Sequence, residues 1–472
     1  MATDCSSRRF EFQGAGGRRC EARFDGGTQC SDGGSLLLSI VERQRGILRG
    51  FSECFVDHRD RRLVEHSVEE MVRQRVYGIA LGYEDLCDHD ELRKDPLLAM
   101  LAGKSDPTGA DRRQAVDRGK PLAGKSTLHR LEWGESQKAT SDRYRRIELD
   151  GAAVDRLFVD LFVDSHRRAP KRVILDLDAT DDPIHGEQEG RFFHGYYGCY
   201  CYLPLYIFCG THLLCARLRR SDIDASKGCV DELSRIVGQL RSRWPRVEIW
   251  IRADSGFARE ELMSWCERNR VEYILGLARN RRLEQALDGA MERAEAICAR
   301  TGKPARVFDD LQYRTEESWS RFRRVVGKAE ILDRGPNPRF VVTSLSCRQA
   351  DAPTLYKKIY CARGEMENRI KEQQLYLFAD RTSARLMRVN QIRLWFSSLA
   401  YILLNELRRI GLVGSSYAQA RCDTIRSQLL KIGARVVISV RRIYFSLASH
   451  HPRQALFAHA YDRLQRAGPR SR

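Results

Sequence analysis

The chain has 472 residues, 42% of them hydrophobic and 31% charged, with a formal net charge of +18 and a pI of about 9.4. That length exceeds one ordinary core and predicts two or three domains, while the composition excludes a disordered or collagen-like chain. The excess positive charge is mostly arginine and points to a polyanionic partner rather than a membrane, since no amphipathic anchor or lipidation motif accompanies it.

Residues 1–34 read as a Gly-, Ser- and Arg-rich arm with short strand-like runs. Its first residues, MATDCSSRRFEFQG, hold no apolar signal core, which predicts a cytoplasmic protein. Residues 35–165 read as a helical region. In HSVEEMVRQRVYGIALGYEDL, Val68, Met71, Val72, Val76, Ile79 and Ala80 share one helix face, with Arg73 and Arg75 away from its centre. A polar loop over 103–123 leads to STLHRLEW, a short helix capped by Ser126 or Thr127. From Arg172 the pattern becomes VILDLDA, then FFHGYYGCYCYLPLYIF and HLLCARL as two neighbouring strands, then alternating helices and strands up to VEYILGLA. This predicts an α/β fold with a mixed sheet flanked by helices over 166–410, interrupted at about 280–355 by a mostly β insertion. Helices resume from Tyr360, and 411–472 reads as a basic, largely helical C-terminal region. The apolar run from Leu394 to Leu407 is too short for a membrane span. The 15 cysteines, odd in number and without a C-x-x-C pair, fit free thiols in a reducing compartment.

Three carboxylates stand out against the basic background. Asp178 lies in a run of apolar residues, on the strand face it shares with Asp176 and Thr180. A buried strand carboxylate is costly unless paired or bound to metal. Asp254 ends VEIWIRA and precedes Ser255-Gly256-Phe257, a strand-end position where α/β folds place functional groups and where an acid also caps the next turn. Glu367 follows Tyr360 and Arg363 at helical spacing, with Glu365 and Glu372 close by; a solvated charged face is the common fate of such residues. Together the three oxygen donors suit Mg²⁺, with Mn²⁺ as substitute, and phosphodiester chemistry on DNA. Asp181 and Asp182 beside Pro183 read as turn residues, and His185 and His194 as ordinary strand-end polar groups. Gly119–Ser126, GKPLAGKS, fits the P-loop pattern, but the polar ADRRQAVDR before it is no strand. A turn into a DNA-contacting helix, with Lys125, Ser126, Thr127 and Arg130 on phosphates, is the better account, and no nucleotide cofactor is expected.

Long stretches resemble bacterial insertion-sequence transposases of the DDE class, most closely the insertion sequence 1380 family: SDGGSLLL, IALGYEDLCDHDELRKDPLLAML, LAGKSTLHRLE, DLDATDDPIHGEQEGRFFHGYYGCYCYLPLYIF, ADSGF, YCARGEMENRIKEQQLYLFADRTS and NQIRLWFSSLAYILLNELRR. The resemblance implies an RNase H-like core in which Asp178, Asp254 and Glu367 hold the metal. Tyr360 and Arg363 match the family's Tyr and Arg before that glutamate. The lysine that ends the superfamily signature is replaced by Gln374, leaving phosphate contact to Lys371 or another basic group. It also implies cut-and-paste transposition in the nucleoid, acting on double-stranded DNA at terminal inverted repeats and at a target, by a homodimer in a synaptic complex. The N-terminal region would bind the repeats, and Trp319 and Tyr313 of the insertion would stack a flipped base. Alternatives are another RNase H-like nuclease or resolvase, a catalytically silent DNA-binding derivative, and a P-loop ATPase.

Overall fold

The computed structural model describes residues 8–16, 18–134 and 146–468, and the chain divides into two units, Asp150–Ser398 and Met1–Leu149 with Leu399–Arg472. In the first unit the strands are β1 (Arg172–Ala179), β2 (Phe192–His194), β3 (Cys199–Tyr202), β4 (Leu205–Cys209), β5 (His212–Arg217), β6 (Glu248–Ala253), β7 (Glu272–Leu277), β8 (Ala305–Tyr313), β9 (Arg323–Leu332) and β10 (Arg339–Thr343). One large sheet runs in the order β5-β4-β1-β6-β7-β10-β9-β8. Strand β4 is antiparallel to β1 and β5 to β4, whereas β6 is parallel to β1 and β7 to β6. Those five strands form the mixed α/β sheet expected from the sequence, with β1 at its centre.

Period-two alternation sorts the side chains of the central strands. Val173, Leu175, Leu177, Ile249, Ile251 and Leu275 pack on one face beneath Phe162, Ile236, Leu240 and Met263 of the helices Gly151–Asp164, Cys229–Arg243 and Glu260–Arg268. The opposite face carries Ile174, Trp250 and Ile274, covered by Leu355 and Tyr356. Each such apolar side chain, fully buried, contributes about 1.5–3 kcal/mol. A one-residue slip of β1 would exchange the two faces, so this core fixes the register. Asp176 and Asp178 thereby face the segment that begins at Ala352.

Two readings of this unit change. The run 192–208 is not one strand: Gly198, with a left-handed φ of 68°, and Pro204 break it. Its first part becomes the β2–β3 hairpin, in a small sheet with Asp182–Pro183. The insertion contains the helix Asp288–Thr301 as well as strands, and it does not stand apart from the sheet. Strand β10 pairs antiparallel with β7, and β9 and β8 follow. An uncovered β7 would leave an open parallel edge, which these strands close.

In the other unit, the helix Val68–Leu81 starts with a reciprocal capping box between Ser67 and Glu70. The helix is buried nearly all round. Arg75, expected off the apolar face, is 6% exposed and binds the fully buried Glu132 at 2.8 Å. A buried arginine is tolerable there because its charge is matched. The two ends of the chain meet in this unit: Gln29–Cys30 pairs with the strand Ala434–Ile438, and Gln44 Nε2 donates to the Leu464 carbonyl at 2.5 Å. Residues on either side of the sheet-bearing segment thus share one packed unit. Among the described residues no helix is long and apolar enough to cross a membrane.

Candidate active site

Asp178 and Asp254 come together through strand register. Ala253 is level with Leu177 in the parallel β1–β6 pair, so Asp254 leaves β6 one step later, beside Asp178. Asp254 caps the turn after its strand, its Oδ1 accepting from Gly256 N at 2.9 Å. It thus fills the structural role that was the alternative to a functional one, and still faces Asp178. Glu367 arrives on the helix Gly364–Leu377. Arg363 links it to the strands: Nη2 donates to Glu367 Oε1 at 2.8 Å, and Nη1 lies 3.7 Å from Asp178 Oδ2. Burial pushes the Asp178 carboxyl up to about 7; Arg363 opposes the shift, and the charges of Asp254 and Glu367 add to it. Asp178 is 15% exposed and Glu367 43%, so the group opens to solvent on the Glu367 side. Of the other glutamates on this helix, Glu365 is exposed and Glu372 is buried against Arg369 at 2.5 Å.

The sequence reading missed two supports. Arg252 grips Asp176 with two bonds, at 2.6 and 2.7 Å, and donates a third to the Ile359 carbonyl at 2.6 Å. It ties the turn carrying Tyr360 to the strand carrying Asp254. An arginine among apolar residues in EIWIRAD, two before Asp254 as Asp176 is two before Asp178, was the available signal. Gly276 on β7 is the second. A Cβ there would stand 2.5 Å from the Tyr360 hydroxyl and 3.0 Å from Ser255 N. Gly276→Ala is therefore expected to displace Tyr360 and the Asp254 turn, slowing DNA cleavage by up to ~100-fold while duplex binding persists. Single-turnover cleavage beside a binding titration checks this; parental rates would show that Tyr360 yields without cost.

The remaining candidates fall out as follows. Trp319 does not offer a stacking face: it is 6% exposed, packs edge-on against Tyr313 at 5.6 Å, and lies under Arg323. Its large apolar ring is used to close the core beneath the insertion. Tyr313 is likewise buried, its hydroxyl accepting from Asn280. Lys371 is exposed one turn beyond Glu367. Asp182 is not a surface turn residue but fully buried, its carboxyl pushed up to about 8 by that burial, and its Oδ1 accepts from Gln374 Nε2 at 2.9 Å. Gln374 thus serves Asp182 and the Asp181 carbonyl. His185 is exposed, and His194 sits against Tyr197. In the other unit, Lys125 opens the helix Lys125–Trp133, where its Nζ and backbone N both bind Asp90, at 3.0 and 3.1 Å. The seat a P-loop keeps for phosphate is taken by that carboxylate. Arg130 is exposed on the same helix.

The donor set suits a hard divalent cation: oxygens only, with an excess of negative charge held in a partly desolvated site. Among the described residues no three His, Cys, Asp or Glu side chains stand in metal-holding geometry. Arg363 holds Glu367 in an ion pair and places its positive charge beside Asp178 as well.

No curated protein matches the chain. Among solved structures it is similar to a piggyBac transposase in a synaptic complex with hairpin DNA, at a TM-score of 0.41 and 10% identity, covering 85% of this chain and 80% of that one. A family model, Transposase DDE domain group 1, matches residues 12–469. Spanned almost end to end by that model, the chain belongs to the DDE transposases.

Proposed function

We propose that this DNA transposase frees the ends of its own element and joins them to a target, with Asp178, Asp254 and Glu367 as the catalytic carboxylates. The observation that carries this reading is the convergence of two strand-end aspartates with a helix glutamate tied in by Arg363. Divalent ions belong to the family's chemistry; Mg²⁺, or Mn²⁺ in its place, would be held by those three side chains. Such ions activate the attacking oxygen and stabilise the departing 3′-oxygen.

The protein's own groups do the rest. Asp178 and Asp254, fixed by β1 and β6, hold their oxygen donors at one place beside the scissile bond. Arg363 is poised to exchange its carboxylate partners for phosphate oxygens, releasing Glu367. Tyr360 and Lys371 line the same helical path and hold the flanking backbone. Lys125 and Arg130 contact DNA in the other unit, and two copies of the chain hold the two ends. The sequence likeness favours the insertion sequence 1380 family, a bacterial origin and a cytoplasmic, nucleoid-associated protein.

The test is strand transfer. A pre-cut terminal-repeat end with a free 3′-hydroxyl is incubated with a target duplex, the protein and Mg²⁺. Joined product that a chelator abolishes is expected. Cleavage of uncut ends without any joining would leave a nuclease of the same fold.

A further inference from the structure

The β2–β3 hairpin presents more exposed aromatic surface than its size can explain. Phe192, Phe193, Tyr196 and Tyr200 are 44%, 50%, 86% and 42% exposed within nine residues. A patch of large apolar side chains left to solvent is a recognition surface by default. The hairpin's two faces differ. Phe193 and Tyr200 are cross-strand partners, their rings 5.4 Å apart and edge-on, with the Arg191 guanidinium 4.1 Å over Tyr200. On the other side, His194 packs against Tyr197, and the Tyr197 hydroxyl donates to the Ala179 carbonyl at 3.3 Å, one residue from Asp178. The charges of Asp178 and Asp254 reach Tyr197. Tyr196, at the tip, stands edge-on to Tyr197 with ring centroids 5.0 Å apart.

We propose that this hairpin is a stacking platform for unpaired nucleobases of the strand cut beside Asp178 and Asp254, with Tyr196 taking the base nearest the scissile bond and the Phe193–Tyr200–Arg191 face the next. It rests on the catalytic reading above. The occupant follows from chemistry and place. These side chains are all flat rings, with the Arg191 guanidinium over one of them in a strongly basic chain, suited to π-faces beside phosphates. The hairpin is anchored to the end of β1, so any strand threaded past Asp178 runs by it. Paired bases hide their faces; only a frayed, single-stranded or flipped nucleotide can lie on these rings. The left-handed Gly198 and the close His194 carbonyl to Gly198 N bond, 2.8 Å, hold the tip in one shape.

The test measures binding, with no cleavage required. The full-length protein, in chelator, is titrated with a short duplex bearing an unpaired oligothymidine tail that includes 2-aminopurine, and with the same duplex blunt. The parent protein should prefer the tailed duplex and quench 2-aminopurine by stacking. Tyr196→Ala should lose about tenfold in affinity for the tailed duplex, as one lost base–aromatic stack predicts. It should also lose the quench and bind the blunt duplex as before. Tyr196→Trp should keep both, and a shared melting temperature would show that the variants fold. Equal affinity for both duplexes in the parent, or unaltered quenching in Tyr196→Ala with Phe193→Ala, overturns the platform. Failure of the catalytic reading looks different: there Asp178→Asn still cuts, whatever the hairpin binds.

Discussion

Asp178→Asn is expected to lower strand cleavage at least ~1000-fold, about 4 kcal/mol of barrier, with duplex binding intact. Asparagine keeps the shape of the side chain and loses its charge, and the amide cannot replace a carboxylate as a hard-cation donor. The same substitution should raise stability in the absence of divalent ions. The folded Asp178 carboxyl keeps its proton up to about 7, held there chiefly by burial, while an unfolded aspartate releases its own near about 4. Between those values the folded state binds more protons, so its stability falls as pH rises through the window and stays low above it. The asparagine variant escapes that loss. Thermal melts in chelator should therefore separate parent and variant at about pH 8 and bring them together towards about pH 4. A variant that cuts at the parental rate removes Asp178 from the chemistry; a variant that cuts poorly yet melts lower at high pH would place it in a structural ion pair instead.

The parts of this site that were legible in sequence are those carried by short-range pattern. VILDLDA reads as a short strand with Asp176 and Asp178 on one face, and EIWIRAD as a strand that ends at Asp254, so both acids could be placed without any knowledge of the partner strand. Glu367 was legible only as one of three glutamates on a helix, and its spacing from Tyr360 and Arg363 singled it out. The mixed sheet and the strands of the insertion followed from the same kind of pattern, whereas the antiparallel pairing of those strands did not.

What was not legible depended on long-range pairing. Arg75 sits on a helix whose partner charge, Glu132, lies more than fifty residues away, so its burial could not be read from its own helix. Trp319 looked like an available ring because a short loop sequence says nothing about which side chain turns inward. Asp182 looked like a turn acid beside Pro183, yet its neighbour Gln374 comes from a helix almost two hundred residues later. The bridging role of Arg363 has the same origin: helical spacing puts Arg363 and Glu367 on one face, and only the sheet's position relative to that helix shows Arg363 reaching Asp178 as well.

Arg252→Ala should be the most destabilising change in the unit that holds the site, by about 3–5 kcal/mol, because it strands the buried Asp176 carboxylate. The side chains of the pair are 10% and 4% exposed, and both carboxylate oxygens accept from the guanidinium. The pair itself need not be a net source of stability, since two buried charges surrender much hydration to meet. Arg252→Met combined with Asp176→Leu should accordingly restore most of the loss in urea unfolding. It should not restore cleavage. The third guanidinium bond, to the Ile359 carbonyl, holds the turn that presents Tyr360, and no methionine supplies a donor there. Arg252→Lys also falls short, because one ammonium cannot span both carboxylate oxygens in the planar fork and still reach that carbonyl. A double variant that is stable but slow, by roughly ten- to a hundredfold, would separate the positioning role of Arg252 from its part in folding. A double variant that cuts at the parental rate would show that the Tyr360 turn holds its place without the tether.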